Sequence, residues 1–233
     1  MDYLVLAVIA GLAAVERKGF LQAMLARPVT LAPIAGLALG DLPGGLLLGP
    51  PLELLWLGAV SLGAALPPNE ALGAVAIAGG AVLAGRALGT GVTPEVAAIC
   101  IATVGVFTVL GRRTDGWVED WNVRFSSRAE ALAAAGAPRQ AVRENLLGMG
   151  LPFAISFVLA PVGAALCAAV APALLRHRPG SAVPLAVGFA ALCGLAAAAG
   201  ARSFRSRRGL ALFLLGAIPT VLVGRWLGVG GAG

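Results

Sequence analysis

The residues best suited to chemistry lie between positions 40 and 70, in a stretch otherwise rich in leucine, glycine and alanine. Glu53 follows Pro50 and Pro51, and Ser61 lies eight residues later, near the same face of a helix with 3.6 residues per turn. Asn69 follows a second proline pair. These groups offer paired donors and acceptors, which suit an uncharged polyol. We expect no arginine or lysine near them, which argues against an anion.

The proline pair predicts an interruption of the backbone. Pro50 and Pro51 each lack an amide donor, so we expect the helix to break there. A broken backbone at membrane depth is tolerated where it is buried in protein or lines a watered cavity, which predicts a re-entrant hairpin or a discontinuous helix. Glu53 would then start a new helix, where the helix dipole favours a carboxylate. It serves either as a functional intramembrane residue or only as a cap.

The composition requires these residues to be positioned inside a membrane. Of 233 residues, 59% are hydrophobic and 12% charged, and the mean hydropathy is +0.91. So few charges cannot cover a soluble domain of this size, so we predict an all-α, polytopic integral membrane bundle with re-entrant or broken helices in its first third. The net charge of +6 is better explained by membrane topology than by nucleic acid. Cys100, Cys167 and Cys193 lie in apolar runs and are interpreted as packing residues, so neither a metal site nor a cofactor is expected.

The apolar runs predict the membrane spans. Four of them are long enough to cross, and 71–89 is a fifth, whereas 29–66 is interrupted and the N-terminal run is short, so that it either tilts or crosses incompletely. The four are 94–111, 147–175, 181–201 and 209–228. We predict one membrane domain over 1–233, in which 112–146, with its six arginines, forms an amphipathic cytoplasmic loop.

Three aromatic residues within that loop recur every four positions. Trp117, Trp121 and Phe125 would share one face of a helix. Such a face is typical of an amphipathic helix at the level of the lipid headgroups, or of a docking surface for a cytoplasmic partner. We leave both interpretations open at this point.

The order of motifs in the first third resembles a known family. Arg27-Pro28, Gly40-Asp41, Leu52-Glu53, Leu57-Gly58, Leu62-Gly63-Ala64 and Pro67-Pro68-Asn69 are similar to the pattern of the IIC component of the mannose/fructose/sorbose family of the bacterial phosphotransferase system. The resemblance is specific over about residues 16–90. Several relatives have Asn in place of Ser61 and Asp in place of Asn69, and Pro50 replaces a small residue, so a changed sugar preference is plausible.

The resemblance implies a sugar-translocating subunit of the bacterial inner membrane. It implies a multi-pass protein that binds a hexose and is not an enzyme by itself. Its implied partners are a IID membrane subunit, with which it forms a hetero-oligomer, and the cytoplasmic IIA and IIB proteins, which pass phosphate to the sugar. On this basis Asp41 joins Glu53, Ser61 and Asn69 as an expected substrate-binding residue.

Two other functions are compatible with the same residues. No GxxxxGK[ST] phosphate loop is present, so autonomous ATP-driven transport is not expected. The chain could be a gradient-driven carrier with Glu53 as the proton-coupling group. It could also be a regulatory membrane partner that binds a soluble protein through the Trp117, Trp121 and Phe125 face.

Overall fold

The computed structural model describes residues 1–19, 22–56 and 69–203, together with residue 211, and the regular elements within these ranges are all helical. The membrane-bundle prediction is confirmed. The α-helices are α1 (Asp2–Lys18), α2 (Pro28–Ala38), α3 (Leu42–Trp56), α4 (Glu70–Leu88), α5 (Pro94–Ala134), α6 (Pro138–His177) and α7 (Ala182–Ser203), and a 3-10 turn at Pro179–Ser181 connects the last two.

Among the described residues, two helices are long and apolar enough to cross a membrane by themselves, namely α4 and α6. Helix α4 contains the predicted span 71–89 except for its last residue, and α6 contains the predicted span 147–175. Shorter apolar helical stretches occur at Pro28–Ala38, Pro94–Gly105 and Ala182–Ala198. The predicted span 209–228 lies outside the described residues except for residue 211.

Helix α4 lies at the centre of the bundle because it is apolar on every face. Each residue from Ala71 to Val82 is buried, and the helix contacts α1, α2, α3, α5 and α6. A helix that is hydrophobic all round must be surrounded by protein or lipid, and here protein surrounds it. The buried thiols of Cys100 and Cys167 belong to this core, as expected for packing residues.

Small residues bring α4 and α6 into close contact. A Cβ added at Gly80 would clash with Cys167 and would lie 2.9 Å from the carbonyl oxygen of Ala164. A Cβ at Gly163 of α6 would likewise lie 2.9 Å from Ala76. Close approach at small residues is how helices associate in lipid, where apolar burial alone gives little preference for protein over acyl chains.

Replacing Gly80 by alanine is therefore expected to destabilise the bundle. The added methyl group would force α4 and α6 apart, which costs about 1–3 kcal/mol of unfolding free energy for an overpacked core. Thermal unfolding of the detergent-solubilised protein measures the change. Gly150→Ala in α6 is the control, because nothing lies within 4 Å of a Cβ at that position. Equal melting temperatures for the two variants would contradict this close packing.

Helices α2 and α3 form a tight hairpin. The chain reverses at Gly40, whose φ of +81° suits glycine, and the Asp41 amide donates to the Gly36 carbonyl over 2.7 Å. A Cβ at Gly45 would overlap the Ala32 carbonyl and approach the Pro33 Cα to 2.8 Å. The two backbones therefore touch along the hairpin.

The predicted helix break at Pro50 and Pro51 is wrong. Both prolines lie inside the continuous helix α3, and the chain turns at Gly40 instead. Gly49 has no Cβ to clash with the ring of Pro50, and close packing against α2 holds the helix despite the missing amide donors. Consequently Glu53 lies near the end of described α3, and not in the first turn of a new helix.

Residues 112–146, which the sequence predicts to form an amphipathic loop, consist of the ends of two helices and the turn between them. Helices α5 and α6 continue through this segment and meet at Ala135–Ala137, where Gly136 has a φ of +76°. Helices of 41 and 40 residues are each about 60 Å long, roughly twice the hydrocarbon thickness of a bilayer. Much of the arginine-rich segment therefore projects from the membrane as a helical hairpin.

Ion pairs mark the two ends of the bundle. Arg86 of α4 binds Asp2 over 2.6 Å, at the end that also contains the Gly40 turn, which we call the Gly40 end. Arg17 binds Asp115 over 2.5 Å at the opposite end, which we call the Arg27 end. Helix α1 thus extends along nearly the full length of α4, although its apolar run is short.

Candidate functional site

A guanidinium shared between two carboxylates lies at the Arg27 end. Arg27 precedes α2, and its Nη2 and Nε donate to Glu53 Oε1 over 2.5 and 2.8 Å, while its Nη1 donates to Glu70 Oε1 over 3.0 Å. The side chains of Glu53 and Glu70 are only 17% and 15% exposed. Charges this far from water need such partners, and one cation for two carboxylates leaves the cluster with a net negative charge.

The pKa of Arg27 lies above its ordinary value. Partial burial lowers it, but the hydrogen bond to Glu53 and the charges of Glu70 and Glu53 raise it by more. The guanidinium therefore stays protonated and remains a donor to carboxylates or hydroxyl groups.

Glu53 also caps a helix, although a different one from the helix predicted. Its second oxygen accepts a hydrogen bond from the Val29 amide over 3.3 Å. Val29 lies in the first turn of α2, where backbone amides have no partner within the helix. One carboxylate thus joins the start of α2 to the last described turn of α3.

The expectation that no arginine or lysine lies near Glu53 is wrong. Arg27 is 26 residues away in sequence but is brought to Glu53 by the hairpin. Arg27 and Glu53 are equally distant from Gly40 in the sequence, thirteen residues before it and thirteen after it. This symmetric spacing about Gly40 is the feature of the sequence that could have predicted the contact between Arg27 and Glu53. The proline pair concealed it, because it led us to expect the chain to turn at Pro50 and Pro51.

Asn69 belongs to the same end, but its amide is used in structural hydrogen bonds. It is buried and precedes α4, where its Oδ1 accepts from the Leu72 amide over 3.1 Å. Its Nδ2 donates to Asp115 Oδ1 over 3.4 Å, and Arg17 binds the other oxygen of Asp115. Asn69 thereby connects α4 to α5 beside the Glu70 carboxylate.

Asp41 and Ser61 are not brought to this cluster. Asp41 lies at the Gly40 end, where its Oδ1 accepts from the Gly44 amide over 2.9 Å in the first turn of α3. Its position is that of a helix cap, roughly the length of α3 away from Glu53. Ser61 lies outside the described residues.

Two neighbouring residues of α1, which the sequence analysis did not single out, complete the cluster. Glu16 is 8% exposed and accepts hydrogen bonds from the amides of Leu25 and Ala26. Arg17 supplies the ion pair to Asp115. Their signal was a glutamate and an arginine directly after an apolar run, but such residues usually mark only the membrane boundary.

A cavity of about 230 Å3 with both polar and apolar walls opens beside Arg27 and Glu70. Gln22 and Met24, on its wall, adopt positive φ angles of 46° and 61°. Non-glycine residues in this conformation are strained, and such strain is concentrated at functional sites. The lining residues are Glu16, Arg17, Gln22, Met24, Ala26, Arg27 and Glu70.

The predicted docking aromatics occupy two different environments. Trp117 and Trp121 are 52% and 39% exposed on the outer face of α5, and their rings meet edge to face at 5.8 Å. Phe125 is half-buried and lines a cleft of about 530 Å3 between α5, α6 and the end of α1. Only the tryptophans therefore form an outward surface.

Comparison with known proteins identifies relatives of the chain. A putative N-acetylgalactosamine permease IIC component 2 of Escherichia coli (strain K12) is 46% identical over 71 residues, which are 30% of this chain and 49% of the relative. A fructose permease IIC component of Bacillus subtilis (strain 168) is 32% identical over 133 residues, which are 57% of this chain and 45% of the relative. The chain spans about half the length of the curated relatives it matches.

A family model covers most of the chain as well. The model described as the sorbose-specific IIC component of the phosphotransferase system matches residues 1–201, which include the whole Arg27–Glu53–Glu70 cluster and both long helices. The chain therefore belongs to the sorbose-specific IIC component family of the phosphotransferase system.

Proposed function

We propose that the chain is the sugar-translocating IIC subunit of a mannose/fructose/sorbose-type permease in the bacterial inner membrane, which it crosses several times. The match of residues 1–201 to the sorbose-specific IIC family carries this proposal. The names of the two relatives, an N-acetylgalactosamine permease component and a fructose permease component, support a hexose as the solute.

The cluster at the Arg27 end has the chemistry that a hexose requires. Carboxylate oxygens accept hydrogen bonds from sugar hydroxyls, and the guanidinium donates to hydroxyl and ring oxygens. The adjoining cavity of about 230 Å3 is slightly below the usual range for drug-sized ligands, which favours a small solute. We propose Glu53 as a sugar-binding residue, and Asn69 as a residue that positions the start of α4 beside it.

The proposed complex contains further subunits. A IID membrane subunit would pair with this chain, and IIA and IIB proteins in the cytoplasm would bring phosphate to the arriving sugar. The arginine-rich hairpin of α5 and α6 would lie on the cytoplasmic side, since positive residues accumulate there. The Arg27 end would then face the cytoplasm, where IIB could reach a sugar bound beside Glu53.

Uptake driven by phosphoenolpyruvate tests the proposal. Cells that lack their own hexose permeases are supplied with this chain and its IID, IIA and IIB partners, and accumulation of radiolabelled hexose phosphate is measured. We expect accumulation well above that of cells with the partners alone. Uptake equal to that background would contradict the proposal. Uptake of unphosphorylated sugar that a protonophore abolishes would instead indicate a gradient-driven carrier.

A further inference from the structure

One exposed face of α5 combines positive charge with aromatic rings. We call Arg113, Trp117, Trp121 and Arg124 the arginine–tryptophan stripe. All four side chains are exposed, and the buried residue Asp115 lies on the opposite side of the helix. The spacing of four, four and three residues keeps them on a single helical face.

The stripe lies at the height where a bilayer presents its headgroups. Asp115 contacts Asn69 at the start of the apolar helix α4, so Asp115 marks the membrane boundary at the Arg27 end. At about 1.5 Å per residue, Trp117 and Trp121 lie roughly 3 and 9 Å beyond it. Headgroup regions occupy about 5–7 Å on each side of the hydrocarbon, and tryptophan is enriched there.

The side chains of the stripe point from α5 toward the membrane. Side chains on a helix tilt toward its N-terminus, and the N-terminal part of α5 lies in the membrane. Arg124 follows this rule, because its guanidinium carbon lies 4.6 Å from the centre of the Trp121 ring. Arg124 therefore places its charge at the level of Trp121, where phosphate groups are within reach.

The positive charges of the stripe have no carboxylate partner among the described residues. Neither Arg113 nor Arg124 forms an ion pair with any described residue, whereas Arg17, Arg27 and Arg86 all do. Asp120 lies on the same face and reduces the positive charge without cancelling it. Phosphate oxygens of lipid are the complementary group at this height.

We propose that the arginine–tryptophan stripe binds the headgroups of anionic phospholipids in the leaflet at the Arg27 end. Arg113 and Arg124 bind the phosphates, and the two indole rings lie among the headgroups and the glycerol groups. This lipid preference belongs to the chain whether or not it transports a sugar.

Lipid titration of the purified full-length chain tests the proposal. Phosphatidylglycerol and phosphatidylcholine of the same acyl composition are titrated separately, and bound lipid is counted by native mass spectrometry. We expect the wild-type chain to bind phosphatidylglycerol more tightly. We expect Arg113→Gln and Arg124→Gln each to weaken that binding about fivefold and the double variant about 25-fold, with little change for phosphatidylcholine.

Two further variants separate charge from other effects. Arg124→Lys retains the charge and is expected to keep most of the preference. Arg139→Gln removes the same charge at the tip of the hairpin, several Debye lengths from the headgroups, and should match wild type. Unchanged melting temperatures in phosphatidylcholine nanodiscs show that the variants remain folded.

Three results would overturn the proposal. They are equal wild-type affinity for the two lipids, a double variant that binds phosphatidylglycerol as wild type does, and an equal loss for Arg139→Gln. Photo-crosslinking from position 124 in native membranes gives a fourth test. Products with lipid support the proposal, whereas products with protein alone would assign the stripe to a protein partner.

Discussion

Glu53→Gln is expected to reduce phosphoenolpyruvate-dependent sugar uptake by roughly 10- to 100-fold, because it removes a charge-assisted acceptor while keeping the size of the side chain. The oxygen of the glutamine side chain can still accept a hydrogen bond from the backbone amide of Val29. Arg27 keeps its ion pair with Glu70. The variant should therefore insert and fold normally, so the loss would reflect the site alone. Uptake of labelled hexose by whole cells, normalised to the amount of chain in the membrane, is the measurement.

Glu119→Gln is the matched control for this experiment. Glu119 also forms an ion pair at the Arg27 end, with Lys18 over 2.8 Å, but its side chain is 49% exposed. Such a surface pair contributes little to stability, so uptake by this variant should equal that of wild type. If Glu53→Gln also transports normally, its carboxylate serves only to close the hairpin and to bind Arg27.

Arg27→Gln is expected to destabilise the bundle strongly. It leaves Glu53 and Glu70 facing each other with no cation between them. Removing one partner of a fully buried pair costs about 3–5 kcal/mol, and the partial exposure of Arg27 reduces the expected cost to about 2–3 kcal/mol. Thermal unfolding in detergent at neutral pH should show a clearly lowered midpoint.

Removal of both acids should restore much of that stability. The triple variant Arg27→Gln, Glu53→Gln, Glu70→Gln keeps the side-chain volumes and has no unpaired charge, so it should unfold later than Arg27→Gln alone. A triple variant that is no more stable than the single one would show that Arg27 contributes through packing of its aliphatic stem and not through its charge.

The sequence predicted the membrane class and the all-α fold because both depend on composition and on the lengths of apolar runs. Helix α4 could be predicted from its continuous apolar sequence. The continuity of α3 through Pro50 could not be predicted, because whether a proline breaks a helix depends on its neighbours. Here Gly49 and the facing helix α2 remove the steric conflict. The continuity of α5 and α6 was missed for a related reason, since charge indicates exposure to water and not the absence of helix.

The candidate site was predicted only in part. Glu53 was recognisable as a carboxylate in an apolar stretch, and Asn69 as a polar group beside a second interruption. Their partners Arg27, Glu16 and Arg17 come from other helices, and such contacts depend on where the chain turns. Asp41, which the family resemblance grouped with Glu53, lies at the other end of the antiparallel hairpin, so the structure does not bring the two side chains together.

The turn at Gly136 offers a practical attachment point for a fiducial domain in electron microscopy of this chain. A membrane protein of 23.2 kDa is small for single-particle electron microscopy, and a detergent micelle hides most of its features. The turn joins two continuous helices at a point about 30 Å beyond Asp115, clear of any micelle. A helical fiducial domain inserted there in register with α5 and α6 would be held rigidly, and its orientation would report that of the transmembrane helices.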